Sequence, residues 1–138
     1  MTAKDYLLQY RKKMARWKLL QAEVERLRTD AESMRINLDG MPRASGSKDR
    51  TERLAIQLAD YELKLTREAS ELYMQSMRII TELGQLQNQK HQELLYKRYI
   101  QGITWEQIAV DMGITWRHCH RLHKLALMEF DKIIQINL

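Results

Sequence analysis

The chain has 138 residues, 44% of them hydrophobic and 30% charged, with a net charge of +5, five glycines, one proline and one cysteine. Few breakers over the length of about one small domain exclude a sandwich or barrel and favour an all-α chain. The lone Cys119 excludes an internal disulfide framework and fits a reducing compartment, while the absence of any apolar run near ~20 residues excludes a bilayer span. Met1–Tyr6 lacks the apolar core of a signal peptide, so a cytoplasmic location is expected, with no membrane partner.

From Ala3 to Leu38 the apolar residues keep a three-four rhythm: Trp17, Leu20, Val24, Leu27, Ala31, Met34 and Leu38, with Tyr6 and Tyr10 extending the stripe backward. That period of about 3.5 predicts a helix packed along a narrow seam, a rod of roughly 54 Å at ~1.5 Å per residue. Its first half carries Lys4, Arg11, Lys12, Lys13, Arg16 and Lys18 against Asp5 alone. Cations near a helix N-terminus oppose the dipole at about 0.3–1 kcal/mol each, so this cluster reads either as a phosphate contact or as a solvated face.

Asp39–Lys48 holds the only proline, two glycines and two serines, and is expected to be a loop. A second stripe follows in Leu54, Leu58, Tyr61, Leu65, Ala69, Leu72, Ser76, Ile79, Leu83 and Leu86, with Asp49 and Glu52 offering a capping box at its start. Glu52, Glu62 and Glu68 alternate with Arg53, Lys64 and Arg67, as a solvated helix face should. Two rods of matched length joined by a short loop predict an antiparallel hairpin over residues 1–87. Each seam is narrow, so self-association, with a dimer favoured, or docking on the remainder is expected to cover it. Gly84 and the polar run after it read as a joint, with a continuous helix as the alternative.

Residues 88–138 form the second expected domain. Leu94, Leu95, Tyr99 and Ile100 mark a short helix stopped by Gly102. Thr104, with Gln107 three residues on, caps the next helix, and Gly113 suits the left-handed conformation that ends it. Thr115 caps a further helix whose apolar face is Cys119, Leu122, Leu125, Ala126 and Phe130, with Ile133 beyond. A small residue at Ala109, the glycine four positions later and these anchors have the spacing of a helix-turn-helix.

With the anchors inward, Trp116, Arg117, His118, His120, Arg121 and Lys124 are left outward or on the flanks, and no acid lies between Thr115 and Leu125. The early turns of a recognition helix reach base edges in the major groove of double-stranded DNA. Arg117 and Arg121, four apart, suit bidentate guanine contacts; Lys124 suits phosphate; Thr104 and Thr115 stand at the helix starts.

His118, Cys119, His120 and His123 invite a metal reading, but His118 and His120 point away from the face shared by Cys119 and His123, so neither metal nor other cofactor is expected. No catalytic constellation is visible. Asp60 and Glu62 sit in a helical charge pattern, and Glu93, Glu106 and Asp111 do not share a face, so the chain does not read as an enzyme.

Leu95–Gly102, Thr104–Ala109, Met112–Thr115, Arg121–Leu122 and Ala126–Leu127 together resemble region 4 of bacterial sigma factors. Cys119 stands where that family usually has an aliphatic residue. A helical N-terminal part, the loop Asp39–Arg43 and this C-terminus resemble small proteins of phages of Gram-positive bacteria, among them late-gene activators of the RinA and ArpU type. The resemblance implies a transcriptional regulator that binds a late promoter and engages host RNA polymerase in the bacterial cytoplasm. Two alternatives remain. One is a packaging protein like a phage small terminase subunit, although those usually carry the DNA-binding part first. The other is an interaction module that holds polymerase without touching DNA.

Overall fold

The computed structural model describes residues 1–38 and 45–137, and for 37, 38 and 45–48 the backbone alone. Every element among the described residues is helical: α1 (Ala3–Leu38), α2 (Ser45–Leu83), α3 (Gln89–Leu95), a π-helical turn (Tyr96–Ile100), α4 (Trp105–Met112) and α5 (Trp116–Asn137). No described helix is long and apolar enough to cross a membrane.

α1 opens on a capping box absent from the sequence reading. The Asp5 amide donates to Thr2 Oγ1 at 3.1 Å, and the Thr2 hydroxyl donates back to Asp5 Oδ2 at 2.8 Å. The expected loop Asp39–Lys48 lies, over 39–44, outside the described residues, and 45–48 are already helical. The Asp49–Glu52 cap is therefore corrected, since Asp49 stands a turn inside α2. Once a helix is nucleated, each added residue costs little, and Gly46 is tolerated at about 1 kcal/mol.

The chain divides into two compact units, residues 14–71 and residues 1–13 with 72–138. Both long helices contribute to both units. In the unit 14–71, α1 and α2 run in opposite directions. The Trp17 indole N–H donates to the Leu65 carbonyl at 3.0 Å, while Arg28, farther along α1, meets Glu62, earlier along α2, at 2.9 Å. Val24 and Leu27 are buried, and Trp17, Leu20, Leu58, Tyr61 and Leu65 are half-buried.

In the other unit, Ala3, Leu7 and Tyr10 of α1 and Leu72, Ile79 and Leu83 of α2 are buried, as are residues of α3, α4 and α5. Tyr6 donates its phenolic hydrogen to the buried Glu82, which gives that carboxylate a partner. Gly84 ends α2, so of the two readings of residues 84–90 the joint is found. Asn88 then caps α3, its side chain accepting from Lys90 N and His91 N. Glu129 of α5 reaches back to this joint, accepting from Gln87 N at 3.1 Å and pairing with His91 Nδ1 at 3.1 Å.

α5 is buried along Cys119, Leu122, Ala126, Phe130 and Ile134. Two expected anchors are corrected: Leu125 is 49% exposed, and Ile134 rather than Ile133 is buried. The buried set advances by three, four, four and four residues, so a position three after Leu122 falls off its edge. Phe130→Ala should cost about 3–5 kcal/mol and Leu125→Ala well under half of that, as measured by urea unfolding.

Candidate nucleic-acid interface

Both turns that frame α4 end in a left-handed glycine. Gly102 has φ 71 and Gly113 φ 65, the latter with ψ 35. At Gly113 the amides of Gly113 and Ile114 donate to the carbonyls of Val110 and Ala109 at 3.1 and 3.0 Å, closing the helix with the paired bonds of a Schellman motif. α5 then starts at once, its entry fixed by Thr115 Oγ1 accepting from His118 N at 3.1 Å. Thr104 caps α4 in the same way, accepting from Gln107 N. The Gln107 side chain does not return to Thr104 to complete the box but donates to Asp111 at 2.8 Å.

Of the candidate reading residues, Thr104, Thr115, Trp116, Arg117, His118, Arg121 and Lys124 are exposed. Arg117, Arg121 and Lys124 fall within one sector of α5, opposite Cys119, Leu122 and Ala126. His118 projects on the flank beyond that sector.

His120 departs from the expectation of an outward reader. Its ring packs between two indoles, 5.0 Å from Trp105 and 4.0 Å from Trp116, and its Nε2 is buried without a hydrogen-bond partner. The cause lies on α4, since Trp105 fills the flank that helix periodicity alone leaves open. Trp116 is still 58% exposed, so its indole covers His120 while facing solvent.

Arg98, Tyr99 and His123 complete this flank, and none of them was expected at the interface. Arg98 stacks its guanidinium 4.7 Å above Trp105 and donates to the Ile103 carbonyl at 3.2 Å. The Trp105 ring lies 4.5 Å from His123, whose Nε2 shares a hydrogen bond with the Tyr99 hydroxyl at 2.8 Å. Arg98 and Trp105 are separated by a glycine turn, so no helical spacing in the sequence links them.

Burial, with the charges of Lys4, His120 and Arg98, pushes His123 from 6.5 down to about 4. The ring is therefore neutral near pH 7. Burial also pushes the Cys119 thiol up, which keeps it protonated as an apolar anchor. Among the described residues, no three His, Cys, Asp or Glu side chains converge as a metal ion would need.

The surface is thus a rigid helix start with three cations on one side and an aromatic wall on one flank. Such a surface can offer planar bidentate donors and point charges to a polyanion. No protein-family model, curated protein or solved structure matches the chain.

Two outcomes are expected. A Cβ at Gly113 meets nothing within 4 Å, so Gly113→Ala should cost about 1 kcal/mol of thermal stability from backbone strain alone. His123 binds a proton less readily folded than unfolded, so stability should be lost as pH falls from 6.5 towards about 4 and level off below. Urea unfolding of His123→Gln across that window should show a shallower decline than the parent chain.

Proposed function

We propose that the chain is a sequence-specific DNA-binding transcriptional regulator. In this reading α4, the Gly113 turn and α5 are a helix-turn-helix of sigma region 4 type, preceded by α1 and α2 as a long antiparallel helical hairpin. The first turns of α5 enter the major groove, α4 braces them across the backbone, Arg117 and Arg121 read guanine edges, and Lys124 meets phosphate.

The observation that carries this reading is the opposition on α5. Cys119, Leu122 and Ala126 are buried on one side, while Arg117, Arg121 and Lys124 stand exposed on the other. No acid lies between Thr115 and Leu125 to neutralise that face. A merely solvated helix face more often mixes both signs, as the α2 segment with Glu62, Lys64, Arg67 and Glu68 does. The two tight caps add support, because a groove-reading helix must hold its first turn rigid.

The resemblance to late-gene activators of Gram-positive phages extends the proposal: the regulator activates a late promoter together with host RNA polymerase, in the host cytoplasm. Self-association, as a dimer, would bring two recognition helices to one site. Tyr73, Met74, Met77 and Ile80 of α2 are exposed and supply an apolar surface for it.

Sites selected from a random duplex library should be bound by the parent chain in preference to unselected DNA. The double variant Arg117→Ala/Arg121→Ala should lose that preference by about fivefold or more per arginine, given ~1–3 kcal/mol for each bidentate pair. Its circular-dichroism spectrum should be unchanged, because both side chains are exposed. Retained preference in the folded double variant would overturn the assignment.

A further inference from the structure

The sequence places six cations between Lys4 and Lys18 without distinguishing among them. Only Lys4, Arg11, Lys12 and Lys13 belong to the unit that contains α5. Residues seven apart return to nearly the same face of a helix, so Lys4 and Arg11 share one edge of α1. That edge is the one directed at α5 and at the turn before α4. The charge of Lys4 acts on His123. The Arg11 guanidinium lies so close to Gly102 that a Cβ there would meet Nη1 at 2.7 Å and Nη2 at 2.8 Å. Lys12 and Lys13 project from other faces of the helix and are exposed.

The start of α1 is fixed in this position. The Ala3 amide donates to Asp131 Oδ1 of α5 at 2.5 Å, the Tyr6 ring lies 6.2 Å from Phe130, and Ala3, Leu7 and Tyr10 are buried. Arg98 brings a further charge to the same turn through its hydrogen bond to Ile103. Among the described residues, no carboxylate lies within ion-pair distance of Lys4, Arg11 or Arg98. The neighbouring Asp5 carboxylate is engaged by Thr2. Lys97, by contrast, is matched by Glu93 and Asp111 at 3.8 Å each. Like charges that lack an ion-pair partner repel one another, and an anion placed among them relieves that repulsion.

We propose that Lys4 and Arg11 form a phosphate-binding edge that grips the sugar-phosphate backbone of the duplex beside the groove read by α5. This rests on the reading of α5 as a DNA-recognition helix. The edge contributes affinity and orientation, with no base discrimination, because phosphates carry no sequence. Arg11, already propped on Gly102, presents a planar donor fork, and Lys4 adds a point charge.

The test is a salt titration of the full-length chain on a random-sequence DNA duplex, read by fluorescence anisotropy. Each lost phosphate contact lowers the slope of log affinity against log salt by about 0.9, so Lys4→Gln should lower it by about 0.9 and Lys4→Gln/Arg11→Gln by about 1.8. Lys12→Gln/Lys13→Gln removes the same charge and should leave the slope unchanged. Arg11→Lys should keep most of it, and Lys4 is exposed, so the Lys4→Gln result does not depend on packing. A parent slope in the Lys4→Gln and double variants, or an equal fall in the Lys12→Gln/Lys13→Gln control, would overturn the phosphate edge while leaving the α5 reading intact. A parent chain that binds no duplex at low salt overturns both.

Discussion

Everything in the unit of residues 1–13 and 72–138 turns on how α5 divides its circumference. One side is committed to burial by Cys119, Leu122, Ala126, Phe130 and Ile134. Burying five such side chains contributes on the order of 1.5–3 kcal/mol for each of the larger ones, together more than any single polar contact nearby. That commitment fixes the rotation of α5 about its own axis. Arg117, Arg121 and Lys124 then have no choice but water. The presentation of these cations is thus a by-product of core packing, and a register slip of one residue would destroy both together.

The polar contacts of α5 serve a different end. Glu129 ties it to the joint after α2, and Asp131 ties it to the first residue of α1. Glu129 makes two hydrogen bonds and Asp131 one, each worth about 1.5–3 kcal/mol with a charged partner. They add less stability than the core but set where neighbouring helices begin. Through Asp131 the start of α1 is brought to α5, and Lys4 lies next to that contact.

The aromatic flank shows how a tertiary neighbour can reassign a residue. On α5 alone, His120 occupies the margin between core and solvent, where a hydrogen-bonding reader could stand. Trp105 comes from α4 after a glycine turn and closes that margin, leaving His120 as a spacer between two indoles. The same packing dries His123 and keeps it neutral. Two histidines that look alike in the sequence to His118 therefore differ from it in exposure.

The sequence by itself determined the helices, since periodic apolar residues and capping residues act over one or two turns. The span of α1, the Thr104 and Thr115 caps, the Gly113 turn and the outward Arg117, Arg121 and Lys124 were all legible for this reason. Only the tertiary structure decided which edge residues are covered, as at His120 and Leu125, and which of six cations on α1 lie beside α5. Those outcomes depend on side chains brought together across turns, such as Arg98 with Trp105 or Arg11 with Gly102, and no local period encodes them. The division of both long helices between two compact units has the same origin: Ala3, Leu7 and Tyr10 continue the seam of α1, but what they are buried with is set some seventy or more residues downstream.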